Sequence, residues 1–319
     1  VIEKDICVEK KIVVAGSINM DLVASVERMP ATGETISGTS FATHPGGKGA
    51  NQAVAAARLG APVTMIGRLG ADIFSTQLRR QLEADHIDTS CIATVDLPSG
   101  CAVILVDRHG ANSIVVIPGA NGALLSKDLT QYENVLRNAS IVLAQLEVPI
   151  ETVTRLAELA HAINIPFVLD PAPARPLPAE LLRNVAWLTP NESEAQSILR
   201  DLGHNSNTPL TPQTAPATAE KLLATGIRNV ILKMGSQGAY IAGQDTTSAF
   251  IPSFTVNAID TTAAGDAFNG GFAYALTQAQ MSPHEAVCFA SAVAAISVTR
   301  SGAQPSMPTL DEVNKLLRS

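Results

Sequence analysis

Residues 141–170 read IVLAQLEVPIETVTRLAELAHAINIPFVLD, and the fold follows from how that stretch divides. The apolar run 141–146 is short enough for a strand. Residues 150–163 place Ile150, Val153, Leu156, Ala157 and Ala160 at helical spacing, and 167–170 return to a strand pattern. The same alternation continues outward in both directions. Strand-like runs stand at 11–16, 63–66, 186–189 and 230–233, with helical runs at 51–59, 72–85, 192–199 and 219–225. Strands alternating with helices predict an α/β fold, a doubly wound and mostly parallel sheet covered by helices on both faces.

Two places break the alternation. Residues 35–44 alternate like a strand, and 102–107 with 113–117 read as a hairpin turning at 108–112, with no helix between them. A small separate β-sheet is therefore expected as an insertion in the core, either covering a cleft as a lid or pairing with a second copy of itself. On this division 11–16, 46–98 and 121–319 form the core and 17–45 with 99–120 form the lid. Residues 203–216, polar and proline-rich, read as a surface loop.

With 319 residues, nearly half of them apolar, the chain can bury a sizeable core. A net charge of −7 argues against nonspecific binding to nucleic acid or to acidic membranes. Cys7, Cys91, Cys101 and Cys288 show no C-x-x-C spacing and are expected to be reduced thiols of a cytoplasmic protein. Residues 1–11 mix acids and bases, and the apolar stretch after them is broken by Asn19 and Asp21, so no signal peptide is expected. The uncharged run 286–299 is too short to span a bilayer and reads as a buried helix. The histidines show no zinc spacing.

Five segments carry residue types suited to chemistry. In DTTAAGDAFNGG, residues 260–271, small residues at Ala263, Ala264 and Gly265 allow a ligand close to the backbone, and the following helix offers free amides to a phosphate. Asp266 in its first turn could be a base beside that pocket, or an acid favoured by the helix dipole. PGGKGAN, residues 45–51, is no Walker A loop, because glycine follows Lys48. It offers amides and polar groups to a hydroxylated ligand, unless Asn51 merely caps a helix. GSINMD, residues 16–21, lacks the G-x-G-x-x-G of a dinucleotide fold, so a dehydrogenase is not expected. Asn19 and Asp21 suit sugar hydroxyls or an Asx turn. In TPNESE, residues 189–194, Asn191 and Glu194 could hold hydrated Mg²⁺ or form a capping box, and the segment alone favours the box. KMGSQG, residues 233–238, could lie against a nucleotide or be an ordinary turn.

Taken together, GGKGANQAVAAARLGA (46–61), QLE (145–147), DPAPAR (170–175), TPNESE (189–194), DTTAAGDAFNGGF (260–272) and VTRSGAQPSMP (298–308) resemble, in this order, the ribokinase-like members of the phosphofructokinase-B family of carbohydrate kinases. The resemblance runs from about residue 11 to the end. It implies transfer of phosphate from ATP to a sugar's primary hydroxyl, with D-ribose, phosphorylated at its 5-hydroxyl, the expected acceptor. Asp266 would be the base, with Ala263, Ala264 and Gly265 forming an anion hole. Asn19, Met20, Asp21, Gly47, Lys48, Gly49, Ala50, Asn51 and Glu147 would meet the sugar. Asn191 and Glu194 would serve the Mg-ATP phosphates, while Lys233, Met234, Gly235, Ser236, Gln237, Gly238, Gly265 and Ser291 would line the ATP site. Asp260, Thr262, Ser297, Arg300, Gly302 and Ser306 would surround an activating K⁺, and the lid would form a homodimer. Two departures stand out: Ala263 replaces the usual first glycine of the anion-hole motif, and Lys233 stands where threonine is frequent. Asn19 matches the ribokinase-like members and favours a substrate with a 2-hydroxyl. The rival readings are a kinase of fructose, a nucleoside or a sugar acid, and a noncatalytic sugar-binding regulator on this scaffold.

Overall fold

In the computed structural model, which describes residues 11–204 and 208–318, the 141–170 stretch forms a strand at Ala139–Ala144, a helix at Ile150–Ala162 and a strand at Phe167–Leu169 paired in parallel with the first. Cys7, the N-terminal charged run through residue 10 and residues 205–207 of the proline-rich loop lie outside the described residues. In chain order the strands are β1 (Lys11–Ala15), β2 (Asn19–Val26), β3 (Gly38–Gly46), β4 (Val63–Gly70), β5 (Ile92–Val95), β6 (Gly100–Asp107) and β7 (Asn112–Ile117). They continue with β8 (Ala139–Ala144), β9 (Phe167–Leu169), β10 (Trp187–Leu188), β11 (Asn229–Lys233), β12 (Ala239–Gly243) and β13 (Ala249–Ile251).

Among the described residues nine strands form one sheet in the order β13-β12-β11-β10-β9-β8-β1-β4-β5, parallel except at the β12 and β13 edge. Ile12 and Val14 of β1 pack into one core cluster and Val13 and Ala15 into the other, as the two-residue period of a strand requires. Burial on both faces explains why the strands read as continuous apolar runs. The helices Lys48–Arg58, Ala264–Thr277 and Pro283–Ser297 cover one face, and Ile150–Ala162, Glu192–Asp201 and Ala215–Leu223 cover the other.

The second sheet has the order β3-β2-β6-β7, with β2 and β6 parallel and the outer pairs antiparallel. Its strand β2 has no signal in the sequence, because NMDL opens it with a mixture of polar and apolar residues. Pairing with neighbours on both sides makes it a strand. Residues 254–259, strand-like in sequence, join no ladder. The amides of Ile259 and Asp260 donate instead to the Val298 carbonyl at 2.7 and 3.1 Å. The helix read at 51–59 begins three residues earlier, at Lys48, and the helix carrying Asp266 in its first turn begins at Ala264. The glycine-rich lead-ins are weak helix formers, yet they are part of the first turns, and this places their polar residues at helix N-termini. No helix among the described residues is long and apolar enough to cross a membrane.

Candidate active site

The chain's polar residues collect where the parallel strands end. Beyond the carboxyl end of β1 come Ser17 and Asn19, beyond β8 Gln145 and Glu147, beyond β9 Asp170, beyond β10 Asn191 and Glu194, and Lys233 closes β11. In open α/β sheets this edge is where ligands bind. The first turns of helices 48–58 and 264–277 meet there because Gly270 lets them approach. A Cβ on Gly270 would stand 2.6 Å from the Ala55 Cβ and 2.7 Å from the Gln52 carbonyl oxygen.

That approach brings Asp266 against the GGKGAN segment. Its carboxylate is 4 % exposed and accepts hydrogen bonds from Asn51 Nδ2 at 2.9 Å and Gln52 Nε2 at 3.1 Å. Burial raises its pKa and the Asp170 charge adds to this, while Lys48, Asn51 and Gln52 oppose them; the balance lifts it from 3.8 to about 6. A carboxylate at such a value is ionised at neutral pH yet basic enough to take a proton. Ala263 caps this helix with φ 60° and ψ 14°, a left-handed conformation that costs an alanine roughly 1–2 kcal/mol. The Ala264 amide turns back to the Thr261 carbonyl at 3.2 Å, whereas those of Gly265 and Asp266 carry no bond among the described residues.

On the β2 side, Glu147 Oε2 accepts from Ser17 Oγ at 2.5 Å, from the Lys48 amide at 3.3 Å and from Asn19 Nδ2 at 3.4 Å. Asn19 Oδ1 accepts from Asn121 Nδ2 at 2.7 Å, which holds the amide in one orientation. Met20 is buried and pairs across the small sheet with Pro45 and Cys101. Asp21 lies against Gly46. Burial, with the charges of Glu147 and Asp266, raises it to about 7 against the pull of Lys48. Gly47 has φ +91°, and a Cβ there would stand 2.7 Å from the Asn19 nitrogen, so only glycine fits. The amides expected to face a ligand are in part committed elsewhere: Gly49 donates to Ser17 Oγ at 3.4 Å and Ala50 to the Ser17 carbonyl at 2.9 Å. The loop therefore presents the side chains of Lys48 and Asn51. Burial disfavours the Lys48 charge, but Asp266, Asp170, Glu147 and Glu194 hold its pKa well above the usual lysine range. The Asn51 Oδ1 atom is buried without a hydrogen-bond partner among the described residues.

On the other side lies a cavity of about 430 Å³ lined by Asn191, Glu192, Ser193, Gln196, Lys233, Met234 and Gly235. Asn191 and Glu194 form a full capping box, with Glu194 Oε2 accepting from the Asn191 amide at 2.8 Å and Asn191 Oδ1 from the Glu194 amide at 3.0 Å. The box also aims Glu194 at the site. Burial and Asp170 push its pKa up against Lys233, Asn191 and Lys48. Gly235, Ser236 and Gln237 form a 3₁₀ turn ending at Gly238, which joins β11 to β12. Ser291 is half-buried in helix 283–297, with its hydroxyl donating to the Val287 carbonyl at 2.8 Å.

Two loops meet at Asp260, whose carboxylate accepts from the Thr262 amide at 2.9 Å and the Gly302 amide at 2.8 Å. Burial opposes the charge of Asp260, but these bonds outweigh it and hold the carboxylate below its usual range. The buried hydroxyls of Ser297 and Ser306 donate to the Ala294 and Ala303 carbonyls, leaving their oxygens as acceptors. The Arg300 guanidinium is taken by Glu312. Asp260, Ser297 and Ser306 each offer only oxygen, one of them as a carboxylate, the ligand type that a hard cation takes. No cluster of three His, Cys, Asp or Glu able to hold a metal occurs among the described residues.

Four participants have no site role in the sequence reading, Gln52, Gln145, Asp170 and Asn121, although the first three stand in the quoted motifs 46–61, 145–147 and 170–175. Asp170 had a signal, an acid ending the apolar strand FVLD, and Gln52 stands next to Asn51. Nothing local marks Asn121.

A model of the pfkB family carbohydrate kinases matches residues 9–310. The chain is 40 % identical to the ribokinase of Bacillus subtilis (strain 168), over 97 % of this chain and 99 % of that protein. Among solved structures it resembles a ribokinase from Thermotoga maritima with TM-score 0.89 and 39 % identity, covering 97 % of this chain and 100 % of that one. A ribokinase of Arabidopsis thaliana complexed with ribose and ATP gives TM-score 0.88 and 33 % identity over 97 % and 99 % of the two chains.

Proposed function

This chain belongs to the pfkB family of carbohydrate kinases, and from that premise we propose that it transfers the γ-phosphoryl group of ATP to the primary 5-hydroxyl of D-ribose. The observation that carries the reading is Asp266, a buried carboxylate beside two free helix amides, between a cluster of sugar-matching side chains and the cavity at Asn191 and Lys233. The Arabidopsis relative complexed with ribose and ATP supports both substrates.

Asn19, Asp21, Glu147, Lys48 and Asn51 bind the sugar hydroxyls. Asn19, held by Asn121, meets the 2-hydroxyl. Asp266 takes the proton of the 5-hydroxyl as its oxygen attacks in line, and the amides of Gly265 and Asp266 receive the charge of the phosphoryl group. Lys48 faces the same carboxylates and adds positive charge. Asn191 and Glu194 would hold Mg²⁺ through its water shell, and the ion would offset charge on the ATP phosphates. Asp260, the Ser297 and Ser306 oxygens and the backbone at Thr262, Arg300 and Gly302 would hold K⁺, stiffening the loop that leads into the helix at Ala264.

The four-stranded sheet, with its flanking segments 17–45 and 99–120, acts as the lid that excludes water from the transfer. Phe41 (67 % exposed), Val103, Val115 and Ile117 leave an apolar surface on one face of it, which supports a homodimer formed through the lid. The thiols of Cys91, Cys101 and Cys288 are free, in keeping with a cytoplasmic site of action.

The test is initial ADP formation with ribose, 2-deoxyribose, fructose, a nucleoside and a sugar acid, with Mg²⁺ and with K⁺ or Na⁺. Ribose should give the highest kcat/KM, and K⁺ should exceed Na⁺. A higher value for another acceptor would replace ribose, and no ADP with any of them would favour a noncatalytic sugar-binding regulator.

A further inference from the structure

Lys233 ends β11 with its ammonium 3.0 Å from Asp170 Oδ1, in a pair whose side chains are 12 % and 3 % exposed. A Cβ built on Gly265 would stand 3.3 Å from the Lys233 Nζ. The ammonium therefore lies over the helix start, where the Gly265 and Asp266 amides carry no bond among the described residues. The other oxygen of Asp170 accepts from Gln52 Nε2 at 3.0 Å, and the same nitrogen reaches Asp266 Oδ1 at 3.1 Å. Gln145 fixes Gln52 in turn, donating to its Oε1 at 2.7 Å. An unbroken chain of polar contacts thus runs from the nucleotide-side cavity to the base.

A buried ion pair contributes little net stability, because desolvation of both charges offsets their attraction. Its position is more informative than its energy. Resting on the kinase reading above, we propose that Lys233 is a catalytic cation for the transferring phosphoryl group, and that Asp170 and Gln52 are positioning residues holding this ammonium and the Asp266 carboxylate in one frame. As the sugar oxygen bonds to the γ-phosphorus, the bond from that phosphorus to the β,γ-bridging oxygen breaks, ADP leaves with the electron pair, and the hydroxyl proton passes to Asp266. Charge spreads over the equatorial phosphoryl oxygens in that transition state. Lys233, desolvated and aimed at the anion hole, stabilises it more than it stabilises bound ATP. The charged groups facing Asp266 from the surrounding elements are Lys48, Asp170 and Asp21, with Glu147 and Glu194 around Lys48.

The experiment compares Lys233→Met, Lys233→Arg and the double variant Asp170→Asn/Lys233→Met with wild type, measuring kcat, KM for ribose and ADP affinity by calorimetry. Lys233→Met should lower kcat by about a hundredfold while ADP affinity changes by less than about threefold. Lys233→Arg should recover part of the rate. The double variant leaves no unpaired buried charge, so it keeps the fold, and it should stay as slow as Lys233→Met. Asp170→Asn alone should move the acid limb of kcat/KM to lower pH, because the Asp170 charge is one that raises Asp266. A wild-type rate in the double variant would mean that the loss came from a stranded carboxylate and would overturn the proposal. So would a Lys233→Met defect confined to nucleotide affinity, or an acid limb unmoved by Asp170→Asn. Absence of turnover in the wild type overturns the kinase reading itself, whereas these ratios test Lys233 and Asp170 alone.

Discussion

Replacing Asp266 with asparagine should slow turnover by about a hundredfold or more while making the protein more stable at neutral pH. The two effects have one cause. The site holds a charge that the fold would rather not bury, and its pKa rises from 3.8 to about 6. A pKa raised on folding means that the ionised group costs stability. That cost is small below the unfolded value and complete above the folded one. At about 1.4 kcal/mol for each pH unit between the two values, the full cost is roughly 3 kcal/mol, of which about 2 kcal/mol develops between pH 4 and pH 8. Asparagine has nearly the same shape and no charge. It loses one of the two bonds from Asn51 and Gln52, at about 1 kcal/mol, at any pH. Lys48 keeps Asp170, Glu147 and Glu194 as neighbouring charges. Urea denaturation of both proteins at pH 4 and pH 8 should therefore show the difference moving by roughly 2 kcal/mol in the variant's favour. Coupled assays on the same samples give the rate. A stability difference independent of pH would refute the buried-charge argument, and a rate near wild type would refute the base.

Three other outcomes follow from the geometry. The acid limb of kcat/KM should lie near pH 6–7, with activity lost as pH falls and Asp21 and Asp266 take up protons, and a limb near 4 would mean that neither carries a raised pKa in solution. Ala263→Gly should raise stability by about 1 kcal/mol in thermal or urea melts without lowering kcat, because it relieves a left-handed alanine. A destabilised variant would show that the Ala263 side chain is needed. Gly270→Ala should cost about 1–3 kcal/mol and reduce kcat, since its Cβ would force helices 48–58 and 264–277 apart and displace Gln52 from Asp266. Wild-type melts and rates would show that this approach is not tight.

Much of the framework was readable from local patterns. Apolar runs such as 11–16 and 141–146 form strands wherever they sit, because burial on both faces tolerates almost any register of apolar side chains. The hairpin 102–117 was legible from its alternation and turn residues. β2 was not, since its polar opening is made extended only by pairing with β3 and β6. The run 254–259, apolar in places, joins no ladder, and the Ile259 and Asp260 amides go to the Val298 carbonyl instead. At the site, Asn191 and Glu194 posed a choice between cap and ligand that three residues of spacing could not resolve. The capping box is formed, and it is also what turns Glu194 toward Lys233 and Asp170.

From the sequence by itself came the alternating fold, the small inserted sheet and the segments that supply polar groups, because periodicity, glycine placement and helix starts are properties of neighbouring residues. Only the tertiary structure decided which of those groups meet. Asn51 and Asp266 are 215 positions apart, and Gln52 and Asp266 are 214 apart. Their contact depends on how closely two helices pack across Gly270, a distance that no local pattern encodes. The raised pKa of Asp266 follows from that packing, and the parking of Lys233 on Asp170 from the nearness of β9 and β11 in the sheet, because burial and charge proximity exist only once the chain has closed around them.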